Sequence, residues 1–315
     1  MIFTATSGDF YHPSRLFFTY LLSLCSAIVF GQPSSSKEIA FVSDTQKPMW
    51  VETLWLPANN NAEATQLIFK DIIREKPHSL FILGDVVMLA CKEKKWRAMD
   101  QNLTNVRNSG IEANALLGNH DVMKRAKKGI KVFEKRFPEH IKTGYYKTID
   151  SVAVVMLNSN FKKLTPDDAQ RQQQWLKETL EKLDRDPSIR DIIVTCHHAP
   201  YTNSKIVGSS EPVQEKFVPA FIQSEKSRLF ITGHAHAFEH FKKEGKDFLT
   251  IGGGGGIHQP LNTSADKIDD LASDYKPMFH YLTVERNKND LFVTSHFLKE
   301  DFSGVEKGIS FTVAR

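Results

Sequence analysis

Five short apolar runs in the chain end abruptly in polar side chains. Ile39 to Ser43 leads into Asp44-Thr45-Gln46, Leu80 to Leu83 into Gly84-Asp85, and Ala115 to Leu117 into Gly118-Asn119-His120-Asp121. Ile192 to Cys196 leads into His197-His198, and Leu229 to Thr232 into Gly233-His234-Ala235-His236. Runs of this length, bounded by glycine and polar residues, predict buried strands.

Between the runs the period changes to that of a helix. Ala62 to Lys76, apolar at Ala64, Leu67, Ile68 and Ile72, predicts a helix that leads through Pro77 into the Leu80 strand, a β-α-β unit. Trp96 to Asn108 and Gly129 to Phe137 predict two more. Thr165-Pro166-Asp167-Asp168 supplies an N-cap, a proline at the first helical position and acids in the first turn. The stripe Trp175, Leu176, Leu180 and Leu183 follows, and Asp186-Pro187 stops it. Phe279 to Phe297 reads as two strands around Asn287-Lys288-Asn289-Asp290. No internal repeat intervenes and no second domain is needed.

Alternating strands and helices predict an α/β layered fold, in which ligands bind at the carboxyl ends of the strands. All five polar motifs sit at such ends. The fold is therefore expected to gather them at one edge.

Composition narrows the class. The 315 residues are 41% hydrophobic and 25% charged, a globular mixture that excludes a disordered chain. The formal charge of +4 favours anionic ligands without demanding nucleic acid. Leu16 to Gly31 is an apolar run after Arg15, shorter than the ~20 residues that span a bilayer, and small residues precede its end. It is read as a signal peptide, residues 1–31, followed by a Ser-rich linker at 32–37 and one domain at 38–315. The mature protein is then expected to be secreted or periplasmic, with no membrane contact once the signal is cleaved. Cys91 and Cys196 are too few for a disulfide framework and read as buried thiols. The oligomeric state is not encoded in any motif.

The strand-end residues Asp44, Gln46, Asp85, Asn119, His120, Asp121, His197, His234 and His236 combine carboxylate, imidazole and amide. Such a mixture suits divalent first-row metals, Mn, Fe or Zn, and is too large for one ion. Two divalent ions are expected. Buried without metal, these groups would carry a large desolvation cost.

The motifs Asp-x-Gln, Gly-Asp, Gly-Asn-His-Asp, Val-x-x-His and Gly-His-x-His, in this order over roughly Ile39 to Phe297, resemble the calcineurin-like metallophosphoesterase superfamily. Gly233-His-Ala-His-Ala-Phe-Glu-His240 and the pattern of Gln172, Trp175 and Leu176 resemble its purple acid phosphatase branch. The resemblance implies a two-sheet β-sandwich flanked by helices. It implies that Asp44, Gln46, Asp85 and His236 hold one metal, and that Asp85, Asn119, His197 and His234 hold the other, with Asp85 bridging. It further implies a metal-bridged hydroxide that attacks phosphorus, His120 as general acid, and Asp121 orienting the His120 ring. The expected activity is hydrolysis of phosphate esters, on a phosphorylated small molecule.

Two positions depart from the pattern. Gln46 stands where histidine is usual, so the first metal is expected to bind more weakly, and Met88 stands where purple acid phosphatases have tyrosine, so divalent metals are favoured over Fe(III). Of the remaining histidines, His198 divides evenly between packing and facing substrate, while His240 and His258 read as structural. Gly252 to Gly256 lacks the ending of a phosphate-binding loop and reads as a tight loop beside the metals. Lys124 to Arg136 carries seven basic residues in thirteen and reads as a solvated helix face. It keeps a phosphodiesterase of nucleotides or nucleic acid as the second reading. A protein-binding scaffold on the same fold is the third, from another class.

Overall fold

The computed structural model describes residues 37–275 and 279–314. The segments expected to be a signal peptide and a linker, apart from Lys37, lie outside the described residues. Among those described, no helix is long and apolar enough to cross a membrane.

The chain folds into strands β1 (Ile39–Val42), β2 (Ser79–Leu83) and β3 (Glu112–Leu116), separated by helices α1 (Asn61–Glu75) and α2 (Arg97–Asn108). Helix α3 (Ala126–Glu134) leads to the hairpin β4 (Tyr145–Ile149) and β5 (Val152–Met156), then α4 (Pro166–Arg185) and β6 (Asp191–Thr195). Short helices α5 (Glu211–Lys216) and α6 (Val218–Gln223) precede β7 (Ser227–Thr232), β8 (Phe238–Lys243) and β9 (Lys246–Ile251). Strands β10 (Phe279–Asn287), β11 (Asp290–Leu298) and β12 (Val305–Val313) complete the fold.

Two six-stranded sheets result, in the orders β12-β11-β10-β1-β2-β3 and β4-β5-β6-β7-β9-β8. The β1-β2-β3 and β5-β6-β7-β9 sets are parallel, and every other pairing is antiparallel. Side-chain alternation along a strand explains the layers. From β1, Ile39 and Phe41 meet Val154, Ile193, Leu229 and Ile231 between the sheets, while Ala40 and Val42 pack outward on Ile68 and Ile72 of α1. On the other sheet, Ala153, Ile192 and Phe230 pack outward on Leu176 and Leu180 of α4 and Phe221 of α6. Parallel strands covered on both faces read as unbroken apolar runs, which is why the five runs were visible. The architecture is the two-sheet sandwich flanked by helices that the resemblance implied.

The predicted helices agree within a few residues, and Thr165 caps α4 by accepting from the Asp168 amide at 3.1 Å. The β8–β9 hairpin, the β4–β5 hairpin, β12, and the short α5 and α6 carried no usable pattern. Glu244 and Gly245, at φ of 48° and 77°, form the β8–β9 turn, so glutamate occupies a left-handed position where asparagine or aspartate would have signalled a hairpin.

Candidate metal centre

Parallel neighbours put the carboxyl ends of β1, β2, β3, β6 and β7 at one edge, and the sheets approach there. Gly84 makes the approach workable: a Cβ at this residue, whose φ is 88°, would stand 2.7 Å from both the Gly118 amide nitrogen and His197 Nδ1. The loops then knit together through backbone. The Asp44 amide donates to the Gly84 carbonyl at 3.1 Å, the Gln46 amide to Asp85 at 3.0 Å, and the Gly233 amide to His197 at 3.0 Å. Asp44, Asp85 and His234 all hold left-handed backbone, with φ of 59°, 49° and 70°. Such conformations are costly for residues with a Cβ, and here they turn three polar side chains into one space.

That space is filled with electron-pair donors lacking protons between them. His197 Nδ1 lies 2.9 Å from the Leu83 carbonyl, which can only accept, so Nδ1 carries the ring proton. The opposite nitrogen of the neutral ring, Nε2, is then a lone pair. It faces Asp85 Oδ2 at 3.3 Å and Asn119 Oδ1 at 3.0 Å, both acceptors. His236 repeats the arrangement, with Nδ1 2.5 Å from the Ile257 carbonyl and Nε2 3.2 Å from Asp44 Oδ1. Asp44 Oδ1 is fully buried and accepts no well-aligned hydrogen bond, while its Oδ2 takes the His234 amide at 2.9 Å.

Gln46 belongs to the same set. Its amide is satisfied when the nitrogen donates to the carbonyls of Asp44 at 3.2 Å and Asp85 at 2.9 Å. The amide oxygen then occupies the place 3.5 Å from Asp85 Oδ2, again oxygen against oxygen. Asp85, His197 and His234 have potential ligand atoms within 4.8 Å of one another. Cations resolve every one of these contacts, and the donor set of oxygen and imidazole fits divalent first-row metals.

Without a cation, protons must substitute. Burial lowers the His197 pKa, but Asp85 and Asp44 outweigh it and lift the ring to about 9. Burial likewise opposes the charge on Asp85, yet His197 and His120 hold it well below the usual carboxylate range. His234 goes the other way: burial and the neighbouring His197 and His198 push it well below 6.5, so its ring stays neutral.

One expectation needs correction. Asp121 was expected to orient the His120 ring, but its carboxylate accepts three backbone amides, Val87 at 3.1 Å, Val86 at 3.2 Å and Gly118 at 2.9 Å. Burial and Asp85 push its pKa up to about 7 against those amides. Asp121 therefore fixes the loops after β2 and β3, and no hydrogen bond joins it to the His120 ring among the described residues. The His120 ring instead sets Nδ1 3.3 Å from Met88 Sδ and Nε2 3.7 Å from Asp85 Oδ2, while its amide donates to Asp85 Oδ1 at 2.7 Å. His240 is structural, bound to Asp247 at 2.7 Å and stacked on Phe311, and the His258 ring packs on Phe279.

The glycine run after β9 is a brace. Its Gly254 and Gly256 amides donate to the Ser43 and Asp44 carbonyls at 2.8 and 2.7 Å, and a Cβ on Gly256 would strike the His236 ring. Asn61 and Thr65 of α1 hold the run through its carbonyls. Neither residue carried a sequence signal, because their role is a contact across some 190 residues. Glu239 was also missed. Fully buried within the last motif, it accepts from Thr202 Oγ1 and the Asn203 amide and so fixes the loop after His198.

The calcineurin-like phosphoesterase profile matches residues 37–238. No curated relative matches the sequence. Among solved structures, a purple acid phosphatase from yellow lupin (Lupinus luteus) seeds superposes with a TM-score of 0.69 at 15% identity, over 90% of this chain. This chain spans only 54% of the lupin enzyme. GAP50, the anchor in the inner membrane complex of Plasmodium, superposes at 0.61 with 13% identity over 89% of each chain. A dimetal phosphatase from Danio rerio superposes at 0.54 with 12% identity, over 89% of this chain and 99% of its own. At these identities the likeness is one of fold.

Proposed function

The chain belongs to the calcineurin-like phosphoesterase family, and on that premise we propose that it is a dinuclear-metal hydrolase of phosphate esters. The observation that carries the reading is the convergence of lone pairs at the edge of the sheets, with Asp44 Oδ1 buried and unpartnered among them. Asp44, Gln46, Asp85 and His236 would hold one ion; Asp85, Asn119, His197 and His234 would hold the other. When bound, two divalent ions, Mn, Fe or Zn, supply Lewis acidity that offsets phosphate charge and makes a water nucleophilic near neutral pH.

The chain's own residues do the rest. Asp85 is the group shared between the two ligand sets, so its position governs both. The Leu83 and Ile257 carbonyls fix the His197 and His236 tautomers, each presenting Nε2 inward. The Gln46 amide oxygen is aimed inward by the two carbonyls that take its nitrogen. His120, 8% exposed with Nε2 3.7 Å from Asp85 Oδ2, would give a proton to the leaving oxygen. Asp121 serves it indirectly, by tying down the backbone that carries it.

The scaffold reading draws on the likeness to the GAP50 anchor. A scaffold has no need of aligned tautomers and an unpartnered buried carboxylate. The nucleic-acid reading is weakened because Arg136 is engaged by Asp100 and Glu93 and lies 4.4 Å over Trp96. The deciding experiment strips the protein with chelator, reloads it with Mn, Fe, Zn or Mg, and measures turnover of aryl phosphate monoesters and diesters. Metal-dependent turnover is expected. No turnover with any metal, together with no metal-dependent thermal shift, would overturn the hydrolase and favour the scaffold.

A further inference from the structure

The space beyond the second ligand set continues into a cleft of about 420 Å³, bounded by Asn119, His234, His198, Ser159, Lys162 and Lys163. Pockets of roughly 300–1,000 Å³ accept whole small molecules, so the cleft has room for more than the reacting phosphate. Its charge is one-sided: Lys162 and Lys163 line it and no aspartate or glutamate does. Both lysines are exposed, and neither forms an ion pair among the described residues, whereas Lys135, Lys142 and Lys147 are all paired.

The lysines stand on a built support. They form a single 3-10 turn, Phe161–Lys163, whose Lys163 amide donates to the Asn160 carbonyl at 2.7 Å. Asn160 is buried and its side chain donates to the Leu117 carbonyl at 2.9 Å, at the end of β3. Gln172 of α4 grips Asn158, two residues earlier, from both sides, accepting from its amide at 2.8 Å and donating to its carbonyl at 2.9 Å. On the floor, Ser159 Oγ lies 2.8 Å from His198 Nδ1 and accepts the His198 amide at 3.0 Å. This leaves His198 Nε2 without a partner among the described residues. The opposite wall is held by Glu239 and by the Ser210 amide donating to the Ala199 carbonyl at 2.8 Å.

We infer that the substrate carries a second phosphate, seated in this cleft on Lys162 and Lys163 while the first is at the metals. The inference rests on the hydrolase reading and deepens it. Lysine is a suitable partner, a point charge on a flexible stem that needs no fixed geometry.

A matched pair isolates the effect. Metal-loaded protein is titrated calorimetrically with butane-1,4-diyl bisphosphate and with butyl phosphate, at low and high salt, and nitrophenyl phosphate hydrolysis is followed in parallel. The bisphosphate should bind about tenfold tighter, with the preference shrinking in high salt. In the Lys162→Ala/Lys163→Ala protein the preference should fall to about twofold, the statistical factor, with butyl phosphate unchanged. Equal binding of the two esters by the native protein, or equal weakening of both in the variant, overturns the inference. The preference without hydrolysis of any ester supports the second-phosphate seat and sinks the hydrolase reading instead.

Discussion

Strands β2 and β11 lie in the same sheet, β2 buried throughout and β11 buried at Leu291, Val293 and Leu298 with Phe292 exposed, but only one ends in chemistry. β2 is paired in parallel with β1 and β3, so the three carboxyl ends fall together, and Gly84-Asp85 emerges beside Asp44 and Asn119. β11 is paired antiparallel with β10 and β12, so each end has a neighbouring strand's beginning beside it and no motif accumulates. Burial of apolar side chains thus serves two purposes. In the parallel centre it positions a site, and in the antiparallel flank it only holds the fold.

Substitutions in the two regions should therefore separate activity from stability. The largest effect expected is from Asp85→Asn at the end of β2, which should lower kcat/KM by more than about 10³, beyond the 10–100-fold typical of residues that merely support ligands. A loss within that smaller range would place Asp85 among the supports.

Next is His120→Gln, at the end of β3. A leaving alkoxide needs a proton and a nitrophenolate hardly does, so kcat/KM should fall about 10²- to 10⁴-fold for an alkyl phosphate and far less for a nitrophenyl ester, on metal-replete protein. Equal losses would assign the proton to another group, with His198 the first to examine.

A smaller effect concerns pH. In the metal-free protein burial lowers His197 but the two carboxylates lift it to about 9, so the ring keeps its proton between 6.5 and 9. That proton stabilises the metal-free fold below 6.5, and its contribution is lost as pH rises through about 9. A metal must displace it. Affinity should climb by up to about tenfold per pH unit from 7 toward 9, with proton release visible as a buffer-dependent binding enthalpy. A flat profile would mean that His197 is already neutral.

The smallest effect at the site should come from the flank. Leu291→Ala in β11 removes a fully buried side chain and should cost about 2–5 kcal/mol in denaturant unfolding. Metal content and kcat/KM of the folded protein should stay within about twofold of the native values if the flank only holds the fold.

The same contrast explains what the sequence disclosed. The strand-end residues were legible because each follows an apolar run buried on both faces, and the polar break is abrupt. β12, from Val305 to Val313, has mostly exposed or half-buried residues and a glycine at its centre, so it offers neither an apolar run nor clean alternation. β8 begins inside the last polar motif and ends in two lysines. The Asp121 role was misread because two of its three partners are backbone amides some 35 residues away, which no local pattern encodes. Lys162 and Lys163 gained meaning only when Asn160 and Gln172 showed that their turn is fixed against the site.

At the meeting of the parallel strand ends, two ions would share the Asp85 carboxylate. Calorimetric titration of chelator-stripped protein with Mn, run on native, Asp44→Ala and Asp85→Asn chains, tests it most directly. Two ions per native chain, one in Asp44→Ala, and weakened binding at both positions in Asp85→Asn are expected. A single ion in the native protein, or an Asp85→Asn chain that keeps one site at native affinity, would contradict this sharing.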